Sequence, residues 1–303
     1  MRINNNITAI NSHRQYGINN RNIGKNMEKL SSGYRVNRAA DDAAGLAISE
    51  KMRSQIRGLN MASKNSQDAV SLVQTAEGGM QTIQDILQRM RELAVQASSD
   101  TNQNTVDRQA LQLEVNQLIE EIDQVADTTE FNKMKLLNGP SPSGSSPSVF
   151  GSDAGGIIQA GANSGQQMSI MIGDMTSAER GLNVEQLINT DAEDKEELSI
   201  TDTTKGISNQ ASASAAIGII DTALNSVSMA RARLGAYQNR LEYKIQNIDN
   251  QAENVSAAES RIRDADMAKM MTEFTKNSIL FQASTAMLAQ ANTLPQSVLQ
   301  LLG

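Results

Sequence analysis

The chain holds a single histidine and no cysteine, which removes most of the side chains that covalent and metal chemistry require. One histidine excludes an H-E-x-x-H zinc helix, and a Ser-His-Asp arrangement would have to be built on His13, which reads as a solvent or interface residue. Without a thiol there is no Cys nucleophile, no thiolate metal site and no disulfide. Asp41 and Asp42, with Asp264 and Asp266, offer the oxygen ligands a hard cation takes. Short acidic side chains ahead of a helix are more simply caps for its free N–H groups. Gly45, Gly58, Gly78 and Gly79 lack phosphate-loop spacing and no Lys-Ser/Thr follows them. Fifteen methionines, Met52, Met61, Met80 and Met90 among them, fall at helical spacing and read as core filler. Arg89 with Glu92 or Glu114 reads as a surface ion pair. These residues point to no enzyme, no metal and no cofactor.

The elements around them are long helices. Ile220, Val227, Leu234, Leu241, Ile248, Val255 and Ile262 recur seven apart, so one helix carries an apolar seam that other helices must cover. The register then slips, and Met267, Phe274, Phe281 and Leu288 repeat at the same interval. Ala69, Leu72, Ala76, Gly79, Ile83, Ile86, Met90, Leu93 and Ala97 keep a 3-4 spacing, as do Leu111, Val115, Leu118, Ile122 and Val125. Ile3, Ile7 and Ile10, then Ile23, Met27 and Leu30, mark a first helix, irregular near Gly17. Gly33 ends it in a turn. A polar link at 98–102 joins the next two helices as an antiparallel hairpin. Pro and Ser punctuate 138–147. Residues 157–160 and 168–172 read as strands of a β-hairpin with its turn at Asn163-Ser164-Gly165. The acidic run 191–197 reads as a solvated loop or helix end. Helix resumes near Ala211 and continues almost to Pro295. The fold class is mainly α: a long antiparallel helical bundle or coiled coil with a small β-hairpin region in the middle.

Composition agrees. Only 3% of the chain is aromatic, poor material for a compact enzyme core and good material for closely packed helices. A net charge of −7 argues against a nucleic-acid partner. Positive charge gathers in residues 1–40, separated by Asn and Ser, and residues 277–303 carry none of either sign. Polar residues interrupt that uncharged tail too often for membrane insertion, and the first residues do not lead into a secretory signal. Sequence rules alone therefore suggest the cytoplasm, or export by another route. A Cys-free chain suits a protein that leaves the cell.

Residues 30–37, Leu-Ser-Ser-Gly-Tyr-Arg-Val-Asn, followed by Ala39-Ala40-Asp41-Asp42-Ala43-Ala44-Gly45-Leu46-Ala47-Ile48, resemble the signature stretch of bacterial flagellins. Further blocks resemble the same family: Gln88 to Gln96, Gly161 to Gln166, Arg231 to Ala236, and Pro295 to Leu299. The resemblance spans about residues 1–138 and 205–303. The central segment is short for the family, so large outer domains are missing, and the tail ends Leu302-Gly303 where many relatives end in a basic residue. The resemblance implies a subunit that polymerises into the flagellar filament for motility. A hook–filament junction protein, or another secreted helical assembly protein, is the alternative.

On that reading residues 1–45 form an N-terminal filament-core helix and connecting spoke, and 46–138 the first part of a helical bundle domain. Residues 139–205 are a short variable segment, 206–264 the second part of the bundle, and 265–303 the C-terminal core helix. Ile3, Ile7, Ile10, Met267, Phe274, Phe281 and Leu288 are the expected polymerisation core. Each ordered residue costs about 1–2 kcal/mol of backbone entropy, and these stripes hold too few apolar groups to offset it alone. The ends are therefore expected to order only on assembly. The resemblance implies as partners the chain itself, the flagellar export apparatus, a flagellin-specific chaperone at the C-terminal helix, and hook-associated proteins. It also implies recognition of the monomer by Toll-like receptor 5 through Arg89, Leu93 and Glu114. The protein is expected in the extracellular filament, exported without a cleaved signal peptide.

Overall fold

A computed structural model describes residues 6–99, 105–139, 155–178, 181–184, 207 and 210–302. Helices α1 (Ile7–Ser32), α2 (Ala43–Ala97) and α3 (Thr105–Thr128) precede strands β1 (Glu130–Phe131), β2 (Met134–Lys135), β3 (Gly156–Gln159) and β4 (Gln167–Ile170). Helices α4 (Gln210–Arg263) and α5 (Met267–Leu302) follow. Ile3, most of the Pro/Ser segment and the acidic run 191–197 lie outside the described residues. The chain divides into two compact units, one of Gly58–Asn250 and one of Met1–Arg57 with Gln251–Gly303.

In the first of these, the heptad of α4 is the spine. Ile220, Val227, Leu234, Leu241 and Ile248 are buried, and the expected α2 series from Ala69 to Ala97 is covered or half-covered throughout. Helix α3 turns a slightly different stripe inward than its sequence suggests. Val115, Ile119, Ile122 and Ala126 are buried, while Leu111, Leu118 and Val125 flank them. Polar ties give the directions. Arg89 meets Glu114 and Arg108 Nε donates to the Ala97 carbonyl, so α2 and α3 are antiparallel, as the short link requires. Arg91 meets Asp221, and Ser63 meets Asp249, so α2 and α4 also run in opposite senses. By length and composition α4 is apolar enough to cross a membrane, but its seam residues line this core.

Gly79 lets the chain after α3 close down on α2. A Cβ there would stand 2.7 Å from Thr129 Oγ1 and 2.8 Å from Leu137 Cδ1. β1 and β2 form a tight antiparallel hairpin that the sequence reading does not contain, its two turn residues Asn132 and Lys133 at φ 50° and 63°. The expected hairpin at β3 and β4 is present, pairing Gly156 with Ile170 and Gln159 with Gln167, and Gly165 takes φ 83° in its turn. Ile170 and Ile172 join the core that the helices form, and Ala160 is buried as well.

In the second unit, α1 is continuous through Gly17, so no irregularity occurs there. It stops at Gly33, whose left-handed φ of 73° lets its N–H reach the Lys29 carbonyl. The C-terminal helix is interrupted where sequence reading has it run on: α4 ends at Arg263, residues 264–266 bridge, and α5 continues past Pro295 to Leu302. The interruption is the point where the heptad register slips. Tyr34 bridges Asp264, and Ala265 N–H donates to the Gly33 carbonyl at 2.9 Å, so the two helix breaks satisfy each other's backbone groups.

Candidate functional site

Helix α1 buries no residue fully. Seven of its half-buried positions, Ala9, Ser12, Tyr16, Asn19, Ile23, Asn26 and Leu30, alternate by three and four, the spacing of one helical stripe. Helix α5 answers with Met270, Phe274, Asn277, Phe281, Ser284, Leu288 and Ala291. The rings of Tyr16 and Phe281 lie 4.9 Å apart. Asn19 Nδ2 donates to Ser284 Oγ at 2.7 Å, and Asn6 Nδ2 donates to the Ala291 carbonyl at 2.7 Å. The helices are therefore antiparallel, along a seam that mixes aromatic contacts with amides and hydroxyls.

The apolar residues that seam leaves out are exposed. Ile10 is 62% and Met287 65% exposed, and Ile7, Ile18, Met27, Met267, Met271, Ile279 and Leu280 are exposed with them. The expected polymerisation core thus divides. Ile7, Ile10 and Met267 face outward, whereas Phe274, Phe281 and Leu288 are half-buried on the stripe facing α1. Both helices of the pair thus leave large apolar side chains in solvent.

The receptor candidates divide as well. Arg89 Nε and Nη2 donate to Glu114 Oε1 at 3.0 and 2.8 Å, and Nη1 lies 3.2 Å from Glu92 Oε2. Glu114 first, then Glu92, stabilise the charged guanidinium and raise its pKa further. Leu93 is a correction. It is 1% exposed, inside the bundle core, because it belongs to the inward α2 stripe, and it is no surface anchor. The methionines need a similar correction: Met80 and Met90 fill the core, but Met61 is exposed.

The four aspartates considered for a cation have other work. Asp42 Oδ1 accepts from Gly45 N–H at 2.8 Å and caps α2, and Asp266 Oδ1 accepts from Lys269 N–H at the start of α5. Asp41 Oδ2 accepts from Arg38 and Asn37 N–H at 3.2 and 3.3 Å. The Arg38 bond above all, with help from Asn37 and the Lys29 charge, holds its carboxyl below the usual range. Asp264 bridges Tyr34. His13 is exposed.

Sequence reading misses the cluster around Tyr34. The Arg263 guanidinium stands 4.8 Å from its ring centre and that of Arg53 5.6 Å, while Arg53 Nη2 donates to the Tyr34 hydroxyl at 3.0 Å. Arg263 Nη1 donates to Glu50 Oε1 at 2.5 Å, and that bond lowers the Glu50 pKa. The partners are separated by up to 229 residues in sequence, so no local spacing announces them.

The family model for the bacterial flagellin N-terminal helical region matches residues 3–141, and that for the C-terminal helical region matches 217–302. The chain belongs to the bacterial flagellin family. The chain is 50% identical to a flagellin of Bacillus subtilis and 53% identical to one of Halalkalibacterium halodurans, covering 100% of both chains in each comparison. A solved structure described as a candidate flagellar hook-associated protein of Vibrio parahaemolyticus is similar with a TM-score of 0.56. It covers 74% of this chain and 100% of that one at 14% identity, a likeness of fold alone. Full-length flagellin relatives set the junction-protein alternative aside. This flagellin chain is a structural subunit that self-polymerises into the extracellular flagellar filament, and it is not an enzyme.

Proposed function

We propose that the outer side of the α1–α5 pair is the surface that neighbouring subunits cover in the filament, and that the two helices become firmly ordered only then. One observation carries this: α1 has no fully buried residue, while Ile7, Ile10, Ile279, Leu280 and Met287 stand exposed on the pair. A helix with so little to bury gains its stability from outside. Residues 277–303 are uncharged, which fits a packed wall in which an unpaired charge would be costly. Head-to-tail addition that does not close then yields a helical polymer.

The same exposed C-terminal helix suits a chaperone that covers it before export. We extend the reading to passage through the flagellar export apparatus without a cleaved signal, and to hook-associated proteins at the filament ends. Recognition of the monomer by Toll-like receptor 5 is supported by the exposed Arg89–Glu114 pair, with Leu93 removed from the epitope.

Ile279→Glu tests the assembly surface, because Ile279 lies outside the α1–α5 seam. Purified monomer is added to short filament seeds and growth is followed by electron microscopy. The variant should keep the helical circular dichroism of the parent and fail to elongate. Normal elongation would remove α5's outer side from the subunit interface.

A further inference from the structure

With fifteen methionines and no cysteine, the thioethers are this chain's most readily oxidised side chains. Burial sorts them. Met80 and Met90 are enclosed in the bundle, whereas Met27 of α1 and Met267, Met271 and Met287 of α5 are between 48% and 65% exposed. The antiparallel register that sets Asn6 beside Ala291 and Tyr16 beside Phe281 brings Met27 level with Met270. Three of the four exposed thioethers therefore gather toward the same end of the helix pair, and the fourth lies in the uncharged tail. All four are exposed on helices whose solvent-facing positions also carry Ile7, Ile10, Ile18, Ile279 and Leu280.

We propose that these four methionines form an oxidation-sensitive site: a peroxide converts them to sulfoxides, and the oxidised subunit is barred from the filament until it is reduced. The inference rests on the assembly surface proposed above. The thioether sulfur attacks one peroxide oxygen, an S–O bond forms, the O–O bond breaks and hydroxide leaves. The proton of the resulting hydroxysulfonium passes to that hydroxide, giving a sulfoxide and water. Sulfur loses two electrons and the peroxide gains them. A flexible apolar side chain thereby acquires a strong S=O dipole. Burying it against apolar neighbours without a donor costs enough for about a tenfold loss in subunit affinity. Sulfoxide reductases reverse the step at the expense of a thiol. Once the outer side is covered, the same methionines are out of the oxidant's reach, so the site acts on subunits and spares the polymer.

The full-length monomer is treated with hydrogen peroxide, its sulfoxides are mapped by mass spectrometry, and seed elongation is measured before and after. For the parent the ratio of rates should fall at least about tenfold and recover with methionine sulfoxide reductase. For a protein carrying Met27→Leu, Met267→Leu, Met271→Leu and Met287→Leu, the ratio should stay near one. That protein retains Met61, Met171 and Met229, exposed elsewhere, as internal controls. An undiminished ratio for parent oxidised at the four sites, or an equal fall for the fourfold variant, overturns the proposal. If the variant does not polymerise, partly oxidised parent decides. Subunits left in solution should carry the four sulfoxides and those in filaments should not; equal occupancy overturns the proposal. Normal growth of Ile279→Glu would instead defeat the assembly reading, so the two failures are distinct.

Discussion

Arg89 is a residue whose value to the fold and to a partner should separate. Its ion pairs with Glu114 and Glu92 are solvent-exposed, and exposed pairs add little to stability. Arg89→Ala should leave the thermal midpoint of the monomer essentially unchanged and reduce its potency in a Toll-like receptor 5 reporter assay by at least about fivefold, as loss of an interface arginine does. Unchanged potency would leave Arg89 as an ion-pair residue only. Asp41 and Glu50 make an opposite case, for both are held ionised by folded-state partners. Their folded pKa values are depressed, so their stabilisation is present above the unfolded carboxylate values of about 4 and disappears as pH falls through the folded ones. Thermal melts from neutral pH to pH 3 should show the loss at the acidic end. Glu50→Gln, which never forms the charged bond to Arg263, should be less stable at neutral pH and show a shallower decline on acidification. These residue roles are unevenly legible in the sequence. Asp42 as a cap follows from its place before a helix, whereas Leu93 receives two places, the Met90–Ala97 inward stripe by its spacing and the receptor face by resemblance, and its burial in the core leaves only the first.

At the scale of elements, periodicity carried the bundle and failed at close approaches. The α4 seam from Ile220 to Ile248 is buried as its heptad requires, because each position repeats the same angular demand. Nothing in the spacing says that Gly79 must admit Thr129 and Leu137, a demand set by the segment after α3. Gly79→Val should therefore destabilise the bundle by about 1–3 kcal/mol through overpacking, despite the better helix propensity of valine. Urea unfolding followed by circular dichroism would measure it, and an unchanged midpoint would mean the 129–137 segment yields freely. The β1–β2 hairpin is hidden in the sequence for a related reason: its turn uses Asn132 and Lys133, and the second position holds lysine where a glycine normally signals such a turn. Interruption of the C-terminal helix at 264–266 was visible as a register slip, yet only its pairing with Gly33 and Tyr34 explains why the helix stops there.

For the molecule as a whole, class and family could be read from the two helical ends and their signature blocks. What the sequence could not supply was the division of apolar residues between the α1–α5 seam and the outer side, since both lie on regularly spaced stripes. That division depends on which helix meets which, and the partners lie at opposite ends of the chain. The hydrogen bond from Asn6 to Ala291 spans 285 residues. A ribosome makes the first helix early and its mate last, so for nearly the whole of synthesis α1 has nothing to lie against. Loop closure over such a separation comes late in folding. On the assembly surface proposed above, the pair would act as a check written into chain connectivity: a polypeptide that stops before α5, however well its middle folds, would lack the surface proposed to join a filament.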